Sequence, residues 1–298
     1  MKIQPFWVLM AIAVVSWIAN YAYAESTKLA HPIFLDHYID VWREESPELS
    51  LYYLANKEDR SMIQWVELGD WQGAPLHFGT GPEFEEVEHY GRYSLRRVTL
   101  QMDQPSAMTE AQKFREITVN FTDGATVQTE IGQVTVQPPY DYDGAQPFTD
   151  QSSASGEYEK TQLLPGEDVT IESVKTSFDD VLQNQFFIKL YMREHSLDQG
   201  TLPEGMSEYE EKSWQNVPGI DVRTAQFPFD MKKGERLTIT SAADLKLRGV
   251  MQMDIEVAGK TAANEPFTTI ANYISYPQFT LEEIKQLIKK RTEAKSNE

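Results

Sequence analysis

A chain of 298 residues that is 41% apolar and 11% aromatic has the material for packed cores and is not composed like a disordered protein. Its formal net charge of −19 sets aside nucleic acid and charge-driven binding to anionic lipid, both of which need clustered Lys and Arg. The absence of cysteine removes disulfides, zinc–thiolate sites, a thiol nucleophile and a lipid-modified cysteine.

The first 24 residues indicate where the protein works. Lys2 supplies a positive start, Phe6 to Ala19 is nearly unbroken apolar sequence, and Ala22-Tyr23-Ala24 places small residues at both cleavage-determining positions. That order is the pattern of a secretory signal peptide covering residues 1–24. The rival reading is a retained membrane anchor over residues 3–19, close to the lower length limit of about 17 residues for a spanning helix. Either way the remainder is expected outside the cytoplasm. An exported chain without disulfides relies on core burial, which suits a bacterial protein.

The stretch Gln137 to Lys160 carries paired prolines, repeated glycine and serine and few aliphatics. It reads as a linker over 138–160 between an N-terminal domain, 25–137, and a C-terminal domain, 161–298. In the first half Ile33, Leu35, His37, Ile39 and Val41 alternate like a strand, although Leu35, Ile39 and Trp42 also fit helical spacing. Ile117, Val119 and Phe121 alternate up to Asp123-Gly124, and Val127, Thr129 and Ile131 resume beyond it. This is the pattern of a tight β-hairpin.

The second half repeats the style. Phe186, Ile188, Leu190 and Met192 form one apolar stripe, and Met251, Met253, Ile255 and Val257 form another that halts at Gly259. Ile270 to Tyr276 closes the set. Short alternating strands between frequent turn residues predict a mainly β protein of two β-sandwich-like domains. One amphipathic helix ends the chain. Thr280 and Glu283 form a capping box, Leu281, Ile284, Leu287 and Ile288 an apolar stripe, and Lys289 to Arg291 a basic last turn. Its expected role is to cover an edge or face of the second domain.

No G-x-S-x-G, H-E-x-x-H or P-loop motif occurs, and Gly79-Thr80-Gly81 lacks the third glycine of a dinucleotide fingerprint. Asp141-x-Asp143-Gly144 with Asp150 six residues past the glycine mimics the later part of an EF-hand loop and makes calcium the candidate cofactor. Pro139 stands at the first ligand position, however. A run of Glu83, Glu85, Glu86 and Glu88 beside His89 is a second acidic cluster, and Glu208, Glu210 and Glu211 a third. Trp65, Trp71, Tyr90 and Tyr93 cluster around a glycine-rich loop and are the candidates for stacking on sugar rings.

These features imply an exported, non-catalytic binding or interaction protein with a protein or carbohydrate partner. The alternatives are a secreted hydrolase using paired carboxylates on polysaccharide, and a membrane-tethered accessory subunit keeping its first helix.

Overall fold

The computed structural model describes residues 4–42, 47–76, 84–103, 110–138, 144–154, 158–192, 214–244 and 247–295. The protein is mainly β, with one helix at each end: α1 (Gln4–Ser26) and α2 (Leu281–Lys295).

The first half carries β1 (Ile33–Phe34), β2 (Asp36–Trp42), β3 (Glu48–Asn56), β4 (Ile63–Leu68), β5 (Trp71–Pro75), β6 (Glu85–Tyr90), β7 (Tyr93–Asp103), β8 (Gln112–Phe121) and β9 (Thr126–Gln137). The second carries β10 (Phe148–Ala154), β11 (Glu159–Pro165), β12 (Val169–Thr176), β13 (Phe186–Met192), β14 (Ile220–Asp221), β15 (Phe229–Met231), β16 (Leu237–Ala243), β17 (Gly249–Thr261) and β18 (Pro266–Ser275). One sheet of 13 strands runs β1-β3-β7-β5-β4-β8-β9-β2-β17-β12-β15, with β6 beside β7 and β18 beside β17. The other runs β10-β11-β16-β13-β14.

In the first half the large sheet curls back on itself. The segment from Ile33 to Trp42 pairs with β3 at its start and with β9 at its end. Leu35, between β1 and β2, donates its N–H to Tyr52 on β3 and continues the ladder. The eight strands from β1 round to β2 therefore enclose one core, which includes Leu51, Leu54, Val66, Leu100, Val119 and Ile131. The β8–β9 hairpin forms as its alternation predicts, with Gly124 at φ +86° in the turn.

In the second half β12, β17 and β18 of the large sheet face β11, β13 and β16 of the small one, and Ile171, Met253 and Val257 meet Leu163, Leu190 and Ile239 between them. This is a two-layer sandwich.

β2 joins the halves. It lies parallel to β9 on one side and parallel to β17 on the other, so the large sheet is continuous from one core to the next. The Pro/Gly/Ser-rich stretch 138–160 contributes structure of its own. Residues Phe148–Ala154 within it form β10, an edge strand of the small sheet.

Two sequence readings need correction. The capping box of α2 is present, since Thr280 donates both its N–H and its hydroxyl to the Glu283 carboxylate (2.7 and 2.9 Å). Yet α2 packs on the first core rather than the second. Ile284 is buried there, Leu287 and Ile288 pack beside it, and Arg291 bonds to Asp36 at the start of β2. Phe279, just ahead of the helix, sets its ring edge-on to Tyr90. Nor does β17 stop at Gly259. It continues to Thr261, and Gly259 is needed because a Cβ there would sit 2.1 Å from the Thr170 carbonyl oxygen on β12. A backbone approach that close has no room for a methyl group. Gly259→Ala should therefore lower unfolding free energy by about 1–3 kcal/mol, measured by urea denaturation, as overpacked sites do.

Candidate functional site

The aromatic candidates do not form a stacking platform. Trp71 is 1% exposed, Tyr90 5% and Tyr93 7%, and all three belong to the first core. Trp71 faces inward on β5 and donates its indole N–H to Gln112 (3.1 Å). Trp65, at 36% exposure, alone presents a face to solvent. Alternation alone cannot separate these cases, because an aromatic satisfies either face of a strand.

Asp141 and Asp143 lie outside the described residues, and so do Glu208, Glu210 and Glu211. Asp150 lies on β10, at the bulged end of its pairing with β11, with its side chain outside the description. Among the described residues no three acids or histidines are grouped to hold a metal ion. The described acids of the second cluster are on β6, where Glu85 pairs with Arg97, Glu86 with His89, and Glu88 accepts the Tyr90 hydroxyl. They form the wet face of an exposed strand.

The structure brings together a polar cluster that sequence reasoning missed. Asp40 on β2 is buried at 5% exposure between the two cores. One of its oxygens accepts Gln137 Nε2 (2.9 Å) and the other accepts the Asp254 N–H from β17 (3.0 Å). Asp254 in turn accepts the Trp42 indole N–H and Asn272 Nδ2 from β18. All four carboxylate oxygens therefore hold protein donors. Burial pushes the Asp40 carboxyl up to about 6, and the neighbouring Asp254 carboxylate adds to the rise. Burial raises Asp254 as well. Acids whose oxygens are already occupied, Asp40 buried and Asp254 half-buried, are poorly placed to meet a glycosidic bond, so the pair reads as an element holding the halves together.

The cluster extends to the segment after β12. Gln133 Nε2 donates to the Ser177 carbonyl (3.1 Å), and Gln137 donates to the Ser177 hydroxyl. Phe178 then packs edge-on to Tyr38 of β2, and Asp180 pairs with Lys113 and Arg115 of β8. The segment from Ser177 to Gln185 is thus pinned from the first half while lying over the second.

That pinned segment walls a groove of about 520 Å³ at one end of the sandwich, between β12 of the large sheet and β13 of the small one. Phe178, Leu182, Phe186 and Ile188 give an apolar floor, and Asp179, Gln183, Asn184 and Arg223 a polar rim. Arg223 is held in place by Asp221 and by the Gln183 carbonyl (2.8 Å), and its guanidinium lies 5.5 Å from the Phe187 ring centroid. An apolar floor with a few oriented polar groups, in a volume of this order, is the usual form of a small-ligand site. The residues that build it are scattered through the sequence, and no motif announces them.

The fold and site therefore define a class only: a mainly β protein with a curled sheet, a fused sandwich and a groove at the sandwich end. No protein-family model matches the chain, and no curated protein matches it in sequence. Among solved structures it is similar to a protein of unknown function from Porphyromonas gingivalis W83. That likeness is 8% identical, covers 82% of this chain and 99% of the other, and has a TM-score of 0.22. The CupB2 chaperone of Pseudomonas aeruginosa is 7% identical over 80% of this chain and 98% of its own, with a TM-score of 0.17. The collagen-binding domain of the Erysipelothrix rhusiopathiae surface protein RspB is 7% identical over 79% of this chain and 89% of its own, at 0.20. Likenesses at this level carry no argument about this chain.

The buried pair of titratable groups on β2 gives a pH prediction. The folded-state value of Asp40 lies above its ordinary one of 3.8, so its protonated form favours the fold and that stability is lost as pH rises from about 4 to about 6. His37, fully buried, accepts the Tyr52 N–H at Nε2 (2.8 Å), and burial lowers it to about 4. Its contribution has the opposite sign: present above pH 6.5 and lost as pH falls towards 4. The two slopes oppose each other between pH 4 and 6. Asp40→Asn should then leave stability rising with pH over that window, and His37→Gln should leave it falling. The departure from the parent chain for Asp40→Asn should reach at most about 3 kcal/mol by pH 7, measured by urea denaturation at each pH.

Proposed function

We propose that the protein is an exported, non-catalytic bacterial binding protein, and that the groove between β12 and β13 is its ligand site. The observation that carries this reading is the groove's construction. Its apolar floor belongs to the sandwich core, while its wall from Ser177 to Gln185 is fixed by hydrogen bonds and ion pairs to the first half. A wall held in this way is preorganised, so little ordering entropy opposes binding. The rim amides of Gln183 and Asn184, with the Arg223 guanidinium, suit carbonyl or hydroxyl groups flanking an apolar portion. Such groups occur in a peptide segment of a protein partner and in a carbohydrate. The membrane-length helix at the N-terminus supports a site of action outside the cytoplasm, as a signal or as an anchor.

Val222 lines the groove and is only partly buried, so Val222→Trp fills the site without opening a core cavity. In calorimetric titrations against peptide and oligosaccharide panels, the parent chain should bind one class and Val222→Trp should lose at least about tenfold in affinity, a change of about 1.4 kcal/mol. Equal affinities for the two chains would move the site elsewhere. Turnover of a bound oligosaccharide that disappears in Asp254→Asn would favour the hydrolase reading instead.

A further inference from the structure

We infer that α1 is kept in the finished protein as a membrane-spanning anchor, and that the body is built to grip the end of that helix. This goes beyond the groove, which binds in the same way whether or not the helix is retained.

The helix has the dimensions of a span. The stretch Phe6–Ser26 is 21 residues with mean hydropathy 1.6, about 32 Å long, against a hydrocarbon core of about 30 Å. Its apolar side chains are exposed all round, Trp7 at 64%, Leu9 at 66%, Val15 at 66% and Trp17 at 71%, so no protein core accounts for them. Trp17 and Tyr21 stack on each other near the C-terminal end, and Tyr23 follows. These are the amphipathic rings found at the level of lipid headgroups.

The cleavage tripeptide is not left in an open, extended segment. The helix runs unbroken through Ala22, Tyr23 and Ala24 and ends at Ser26. Its last carbonyls, which a helix cannot satisfy internally, are taken up by named donors. Ser26 donates its hydroxyl to the Tyr23 carbonyl (2.9 Å), and the Thr27 hydroxyl lies 3.0 Å from the same oxygen. The third donor comes from the body: Arg92 donates to the Ala24 carbonyl and to the Thr27 hydroxyl. A cation at a helix C-terminus also meets the negative end of the helix dipole.

The grip continues past the helix. Tyr93 donates its hydroxyl to the Thr27 carbonyl (2.6 Å), and Asn56 closes a two-way pair with the Leu29 backbone (2.9 and 2.8 Å). Leu29 packs on the first core. Arg92 and Tyr93 belong to the tight β6–β7 turn, where Gly91 takes φ +66°. Removal of residues 1–24 would delete the Ala24 acceptor, one of the two that Arg92 Nη1 meets here.

At the exit, Lys28 pairs with Glu25 (2.8 Å) and Lys285 of α2 with Glu282 (2.7 Å), so their charges are matched, while Arg92 holds the helix end. Leu281, one turn ahead of Lys285 on α2 and 43% exposed, adds apolar surface for the headgroup boundary. The occupant of this face is the bilayer that α1 crosses.

The full chain, exported by a bacterial host, decides the matter. We expect an intact mass of 34.2 kDa in the membrane fraction, released by detergent and not by alkaline carbonate. A mass beginning at Glu25, or full-length protein that carbonate washes off, would overturn the anchor. The grip is read separately by limited proteolysis of the detergent-solubilised chain at residues 24–30. Arg92→Ala and Tyr93→Phe should each speed cutting there by about tenfold, the equivalent of one charge-assisted or buried hydrogen bond, with cutting elsewhere unchanged. Rates equal to the parent in both variants would remove the grip.

Discussion

The structure depends on β2, because that strand is buried on both faces and hydrogen-bonded on both edges. His37, Ile39 and Val41 point into the first core, while Tyr38, Asp40 and Trp42 turn to the second half. Its edges carry parallel ladders to β9 and β17. Neither half can close without it. The curled sheet would lose the segment that seals β9 to β3, and the sandwich would lose the neighbour of β17. A strand so placed ties the two halves into one continuous sheet despite their separate cores.

Burying both faces of one strand creates a problem at Asp40, whose carboxyl is removed from water. The solution is a network rather than a counter-ion. Gln137, the Asp254 backbone and Ser177 meet Asp40, while Trp42 and Asn272 meet Asp254, and these donors come from both halves. Networks of this kind specify register, because a shift of one residue on β2 would exchange its two faces and leave every donor unmatched. The same network fixes Ser177, from which the groove wall begins. The joint and the candidate site are thus built from one set of contacts.

The two helices are fastened to the body by charge-assisted contacts. α2 is stitched by Arg291 to Asp36 and by Arg248 to Glu283, and α1 by Arg92 to the Ala24 carbonyl. Most other ion pairs are exposed. Pairs such as Lys175–Glu256 and Lys260–Glu172 contribute only about 0–1 kcal/mol each, so the surplus of acid is a property of the surface and not the source of the fold.

Period-2 alternation made the β class, the β8–β9 hairpin and the inward stripes of β13 and β17 legible in the sequence, because strand geometry imposes that period directly on side-chain burial. The capping box of α2 and the apolar run of α1 were legible for the same local reason. The candidate site was not. Asp40 reads as a polar residue on an alternating strand, and Asp254 as one of several on the wet side of another. Nothing local says that the parallel ladder between β2 and β17 brings them together across more than 200 residues. The four clustered aromatics misled in the opposite way: closeness in sequence suggested a shared surface, whereas the curl of the sheet buried Trp71, Tyr90 and Tyr93 and left Trp65 outside. By itself the sequence determined which residues face inward on the regularly alternating strands β8, β9, β13 and β17. Only the tertiary structure decided which core each element serves, since that depends on ladders between distant strands whose partners no local pattern encodes.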